Sequence, residues 1–549
     1  MTVEPPSVPD VVGVSPDFPV EFDRSGDERL TWDWDDMHMP FALTPLGASW
    51  VRVIGQGFGS WRAHLGVDFP PRTRTAIWNG YAYFAYDPGA EGEELKRIEQ
   101  ETTELMRAQI PVAEAYWREE ALPELESIYR QMRDAPIETG TLAEAADGWL
   151  RGWAGVDRAW QVHFIAINGP YQVLEDLADL YEKVVKDAGA GESLRLVQGS
   201  RHELYATEVG VERLGASAAR RPAIAAALRG GTRSTESLAE LPGGGEFAAE
   251  LRAFLDEHGH LGQSVDDLTL ASWGDEPGQL LAEIGKRLDH TPEAAETRRA
   301  RLEREAEELA EGVRARLSEQ PDERDRFEFL LDHARRIGPI TEIHNYWIDR
   351  MAQAHTRRLA LRAGARLTRD GVLDRPEDVF YLDRDEVAQL LLDPIDRRVL
   401  VIERREVHER QRRSTPPRVV GRAPDPAAGP VDRFDGAAIE STEADVLRGT
   451  GASAGQVRGP ARVVLTSAEF DRVRPGDVIV CPSSNPSWVP VFTIAAGLVT
   501  NTGGVLSHAA VVAREFGLPA VVGARDATSR ITDGQLIEID GTAGTVRLL

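Results

Sequence analysis

The sequence predicts an α+β multidomain protein: a large, mostly α-helical domain, then a linker, then a small α/β module at the C-terminal end. Three observations predict this. Apolar residues recur at helical spacing through much of 91–410, proline and glycine concentrate in 414–438, and short β-branched runs separated by Gly and Pro follow. A length of 549 residues suits a chain of several domains.

The elements follow in order. Residues 1–24 form an acidic, Pro-rich N-terminal extension. Residues 25–88 mix Trp, Tyr, Phe, Pro and Gly in short runs, which read as loops and short elements packed against something larger. Helical periodicity then covers 94–132, 142–153, 173–188, 246–258, 276–288, 293–317 and 325–365. The 293–317 stretch is dense in Glu and Arg and reads as a solvated helix laced with i,i+4 pairs. Together 25–410 make the helical domain. Residues 411–445, with Pro416, Pro417, Pro424, Pro426 and Pro430, form an extended, semi-stiff hinge. In 446–549, strands are expected at 461–465, 477–481, 497–501, 519–522, 536–539 and 545–549, with one helix at 507–516.

Composition narrows the classes of function. Acidic residues outnumber basic ones 90 to 63, giving a formal net charge of −27. Long-range repulsion therefore opposes nucleic acids and anionic membranes. No apolar run approaches the roughly 20 residues that span a bilayer, and residues 1–19 lack the basic start and apolar core of a secretory signal. Cys481 is the single cysteine, which removes any intrachain disulfide or cysteine-based zinc cluster. A cytoplasmic protein without membrane or nucleic-acid partners is expected. The lysines are Lys96, Lys183, Lys186 and Lys286, all in charged helical stretches.

The chemistry concentrates in 501–523. A strand ends at Asn501, and Gly503 and Gly504 let the backbone turn tightly beside Thr502 and admit a bulky anion. Ser507 is a good N-cap, so His508 lies in the first helical turn, where unpaired N–H groups and the helix dipole favour negative charge. A phosphoryl group on imidazole is dianionic and suits this place. Arg514 lies one and a half turns further on, and Gly517 and Pro519 end the helix. His258-Gly259-His260 is a short His-x-His pair with no third ligand at a recognisable spacing, so no metal is expected in this chain.

The 501–523 stretch resembles the phosphohistidine signature of the phosphoenolpyruvate-utilising enzymes, a family that includes pyruvate phosphate dikinase, rifampin phosphotransferase and phenylphosphate synthase. Gly451-Ala452-Ser453-Ala454-Gly455, Pro475-Gly476-Asp477 and Asn485-Pro486-Ser487-Trp488 resemble neighbouring segments of the same module. The resemblance covers 446–549 and implies a β/β/α phosphohistidine swivel domain. It makes His508 the phosphoryl carrier, with Thr502, Gly503, Gly504, Ser507 and Arg514 holding phosphate.

Residues 25–410 resemble, more weakly, the substrate-binding domain of rifampin phosphotransferase and its relatives. The carriers include His38-Met39-Pro40, Asn79-Gly80-Tyr81-Ala82-Tyr83, Gln198-Gly199 and Thr341-Glu342-Ile343-His344-Asn345-Tyr346-Trp347. There Glu342, His344 and His38 are the candidate bases for a phosphoryl acceptor. Trp34, Tyr83, Gln198 and Trp347 are the candidate substrate contacts. Two departures, His260-Leu261-Gly262 and Glu342-x-His344, point away from rifampin itself. No Gly-rich nucleotide loop with neighbouring lysines occurs, so the resemblance is nearest to the histidine-carrying subunit of a two-component system of the phenylphosphate synthase or hydroxyaryl-ketone kinase type. It implies that a separate ATP-grasp subunit binds Mg2+ and ATP and charges His508, with ATP ending as AMP and phosphate. The acceptor is then a small hydroxylated, phenolic molecule. The competing readings are a phosphocarrier serving another protein and an antibiotic-inactivating phosphotransferase.

Overall fold

The structure, a computed structural model, describes residues 11–549 except 37, 68–71, 187, 190, 263–265, 289–292, 424–444, 466, 485–487, 493 and 506. Near the start, alternating aromatic residues make strands rather than loops. A five-stranded sheet has the order β1-β5-β2-β4-β3, with β1 Val11–Val12, β2 Thr31–Trp34, β3 Arg72–Trp78, β4 Tyr81–Asp87 and β5 Val419–Arg422, every pair antiparallel. The β3–β4 hairpin turns on Asn79 and Gly80 at φ 48° and 83°, the left-handed pair that a two-residue turn between twisted strands requires. This sheet corrects two sequence expectations. Residues 11–24 supply β1 and the buried Phe18 rather than a detached extension. Residues 419–422, assigned to the hinge, pair with β1 and β2 in the first sheet. The remainder of that hinge from 424 to 444 lies outside the described residues.

The helices that position the site are α1 Pro45–Gly57, α2 Leu122–Asp134, α3 Leu142–Ala166, α4 Asn168–Val184, α5 Glu203–Ala219, α6 Gly244–His258, α7 Ala295–Arg316, α8 Pro321–Ile337, α9 Ile340–His344 and α10 Met351–Arg369. Thr141 and Glu144 close a capping box at the start of α3, satisfying two backbone donors reciprocally. The buried face of α3 carries Trp149, Trp153, Val156 and Trp160, which pack with Trp50, Tyr129 and Leu359 in the main core. Full burial of each such side chain contributes roughly 1.5–3 kcal/mol or more. The 325–365 periodicity, read as one helix, is instead broken: α8 ends before Gly338, and α9 and α10 are joined by a π-helical turn, Asn345–Arg350.

The C-terminal module holds an eight-stranded sheet of order β6-β13-β12-β8-β9-β10-β11-β7. Its strands are β6 Val446–Arg448, β7 Thr450–Ser453, β8 Gln456–Val463, β9 Val478–Cys481, β10 Gly497–Thr500, β11 Ala520–Val522, β12 Leu536–Asp540 and β13 Thr545–Leu548. Strands β8 to β11 run parallel, and the unbroken apolar runs of β9, β10 and β11 are buried on both faces. Helix α11, His508–Phe516, follows β10 and buries Ala510 and Ala513 against Cys481 and Leu498. The Cys481 thiol is fully buried and burial pushes it well up, so it is an inert packing group.

Candidate phosphohistidine site

The loop before α11 builds the site from its own backbone. Gly503 has φ 104°, and a Cβ there would lie 2.8 Å from Ser507 Oγ, so only glycine fits. Thr502 donates its backbone N–H and its hydroxyl to the Pro482 carbonyl, both at 3.1 Å. Ser507, at φ −61° and ψ 152°, caps α11 by accepting from Ala510 N–H at 3.4 Å, and its hydroxyl donates to Gly504 O at 2.8 Å. Gly517 closes the helix at φ 61°. His508 is thereby fixed in the first turn.

The swivel module is docked on the helical domain. Val505 packs against the main helical core, the Arg298 guanidinium of α7 stacks 4.4 Å from the Phe516 ring centroid, and Lys286 donates to Phe470 O at 2.8 Å. The dock brings His508 to Glu342 on α9, with His508 Nδ1 3.0 Å from Glu342 Oε2 and side chains only 10% and 8% exposed. A carboxylate accepts only, so Nδ1 carries the proton, and in the neutral ring Nε2 carries the lone pair. Nε2 is buried with no hydrogen-bond partner among the described residues. The nitrogen left free is the nucleophilic one.

Around α11 the cleft between α5, α7 and α9 is lined by His202, Glu208, Arg298, Arg299, Glu342 and Glu515. Burial pushes Glu515 up to about 7, against the lowering effect of Arg298 and Arg514. Burial also holds His202 below its usual range, keeping it neutral, and its Nδ1 is buried without a hydrogen-bond partner among the described residues. Periodicity gave no reason to single out His202, Arg298 or Glu515. Only the fold brings them to the carrier helix.

Several sequence-based assignments change. Glu342, expected as a base for the acceptor, is engaged with the far nitrogen of His508. Arg514, expected to hold phosphate, is buried and donates to Ala452 O at 3.0 Å and Val505 O at 2.6 Å, tying strand, loop and helix together. Desolvation lowers it to about 10, which leaves it charged. Thr502 and Gly504 spend the polar groups named above inside the loop. His344 donates Nδ1–H to Ile340 O at 2.7 Å, and burial followed by His163 lowers it to about 4. It is neutral and interior. His38 pairs with Asp35 at 2.9 Å. Desolvation opposes the charge, but the Asp35 carboxylate and more distant Asp266 and Asp349 raise this half-exposed ring to about 10. His38 is therefore an imidazolium near neutral pH, not a base.

The expected substrate contacts are mostly structural. Tyr83 is fully buried and donates to Pro417 O at 2.6 Å, and Trp34 donates to Met39 O at 3.3 Å beside it in the sheet's aromatic cluster. Gln198 precedes Gly199, whose φ of 79° sets it against the α7 backbone. Trp347 is nearer the site, donating to Glu203 Oε1 at 2.7 Å next to His202. His258 and His260 do not chelate: His258 Nδ1 lies 2.9 Å from Tyr346 Oη, and His260 stacks edge-on against that ring. Among the described residues, Lys96, Lys183 and Lys286 each pair with a glutamate and Lys186 is exposed. No helix of the described residues is long and apolar enough to cross a membrane.

Comparison with known proteins agrees with this anatomy. Residues 473–544 match the family of the PEP-utilising enzyme mobile domain, and residues 164–342 match the rifampicin phosphotransferase fourth domain. Chondramide synthase of Chondromyces crocatus is 29% identical over 573 residues, covering 100% of this chain and 14% of that protein. A rifampicin phosphotransferase of Streptomyces sviceus is 36% identical over 323 residues, covering 57% of this chain and 36% of that protein. Another, from a Streptomyces species, is 34% identical over 385 residues, covering 68% and 43%. The chain thus spans less than half the length of these relatives. His508 falls in the first matched region and Glu342 in the second, and the chain is a relative of the rifampicin phosphotransferases that carries the PEP-utilising mobile domain.

Proposed function

We propose that this chain is a phosphotransferase in which His508 Nε2 carries a phosphoryl group and delivers it to the hydroxyl of a small molecule. The observation that carries the reading is the pairing of His508 Nδ1 with Glu342 Oε2 across the docked domains, which leaves Nε2 free. In the transfer step the Nε2–P bond breaks and an acceptor O–P bond forms. With Nδ1 protonated against Glu342, imidazole leaves neutral rather than as an anion. Positioning and charge placement of this kind supply most of the catalysis in phosphoryl transfer. The acceptor's proton passes to a base in the cleft, and neutral His202 is the candidate.

The phosphoryl donor in this reading is Mg-ATP on a separate ATP-grasp protein. The ion-paired or exposed lysines of this chain support that division of labour. The acceptor in this reading is a phenolic hydroxyl. A second reading, antibiotic inactivation, is favoured by the similarity to the Streptomyces rifampicin phosphotransferases. Both are tested by charging the protein chemically with phosphoramidate, which releases ammonia and leaves phosphohistidine. The labelled protein is then offered phenols, hydroxyaryl ketones and rifampicin. Label should move from His508 to one class. Loss of label only as inorganic phosphate with every acceptor would instead support a carrier that serves another protein.

A further inference from the structure

A second cluster lies in the interior of the helical domain, apart from the His508–Glu342 pair. His163 of α3, His344 of α9 and Asp349 of the π turn are all buried, and one ligand-capable atom from each lies within 4.8 Å of the others. His163 Nδ1 sits 2.9 Å from Asp349 Oδ1, and the His163 and His344 rings meet edge to face at 4.5 Å between centroids.

The backbone explains the convergence. His344 and Asp349 are five residues apart, which on a regular α-helix places them roughly 140° apart around the axis. The π turn Asn345–Arg350 between them closes at i→i+5 and brings such positions back towards one face. Single π turns in helices are found at functional sites more often than elsewhere. The His344 Nδ1–H is committed to the Ile340 carbonyl, which fixes the tautomer and leaves Nε2 as the donor atom, the usual outer arrangement of a metal-bound imidazole. Aromatic rings brace one side of the cluster: Trp160 packs against His163 at 4.9 Å, and Trp160 meets Trp50 at 5.8 Å.

We infer that His163, His344 and Asp349 form a binding site for a first-row divalent transition metal. Two imidazoles and one carboxylate suit zinc, manganese, iron or cobalt better than magnesium or calcium, which favour all-oxygen shells. Bonds of about 2.0–2.2 Å put tetrahedral donors roughly 3.4 Å apart, so a 2.9 Å His163–Asp349 contact opens slightly and a pair near the 4.8 Å limit closes by roughly an ångström, within the reach of small side-chain rotations. Three protein donors leave at least one position for an exogenous oxygen, as in catalytic rather than closed structural sites. The inference does not depend on phosphoryl transfer.

The test uses the full chain stripped with chelator and titrated with Co2+ alone. The expected result is one equivalent bound, with visible d–d absorption, and a tenfold or greater loss of affinity in each of His163→Ala and His344→Ala. His258→Ala and His508→Ala should bind as the wild type does. Far-UV circular dichroism reports whether the variants fold, and Asp349→Asn provides a third, nearly isosteric change. The inference is overturned if the folded wild type gives no stoichiometric Co2+ spectrum. It is also overturned if His163→Ala and His344→Ala both bind as tightly as the wild type, or if His258→Ala or His508→Ala abolishes the spectrum.

Discussion

Replacing Glu342 by Gln keeps the shape of the His508 partner and removes its charge. The amide oxygen can still accept from Nδ1, so the ring stays oriented. What is lost is the charge-assisted part of a buried hydrogen bond, Nδ1 to Oε2 at 3.0 Å with both side chains about one-tenth exposed. Hydrogen bonds to charged groups contribute about 1.5–3 kcal/mol. The carboxylate stabilises the protonated ring, from which imidazole leaves neutral. Without that stabilisation the ring is a poorer leaving group, and the variant delivers its phosphoryl about 10- to 100-fold more slowly. The assay is single-turnover loss of label from protein charged with phosphoramidate, followed by 31P NMR. A Glu342→Gln protein that loses its label as fast as the wild type would refute this role of the carboxylate.

Other outcomes follow from the same geometry. Docking of the swivel should weaken as pH rises from about 4.5 to about 7, because Glu515 is raised to about 7 in the docked state. The docked form binds the extra proton in that window, the effect is at most about 3 kcal/mol, and it flattens above the docked value. Small-angle scattering at fixed ionic strength measures this, and Glu515→Gln should remove the slope. Arg514→Ala should lower stability by roughly 2–4 kcal/mol in denaturant melts, since it leaves buried carbonyls at Ala452 and Val505 unpaired. A variant as stable as the wild type would return Arg514 to a phosphate-binding role. Ser507→Ala removes the α11 cap and should cost about 1 kcal/mol of swivel stability by the same measurement.

The swivel was largely legible in the sequence because its signals are local. Gly503, Ser507, His508 and Gly517 each act within one loop and one helix, and β-branched runs mark the buried parallel strands. The helical domain was legible as helices but not as a site. Glu342 and His508 are 166 positions apart, and no periodicity relates them. The π turn at 345–350 also shifts His344 and Asp349 out of the register that an α-helical reading assigns. Two further local signals lie in the sequence. Asn79-Gly80 between aromatic runs is a strong hairpin signal, and it marks the β3–β4 turn. Asp35 three residues before His38 foreshadowed an ion pair that makes this histidine cationic. Trp34 and Tyr83 misled because a buried aromatic with a polar tip reads the same in a core as in a pocket.

Phosphate on His508 Nε2 is the step on which the proposed function stands. The most direct measurement is 31P NMR with tandem mass spectrometry of the phosphoramidate-treated chain, alongside His508→Ala. One acid-labile phosphoryl group is expected, assigned to Nε2 of His508 and missing from the variant. Label on Nδ1, label on another histidine, or equal labelling of His508→Ala would contradict it.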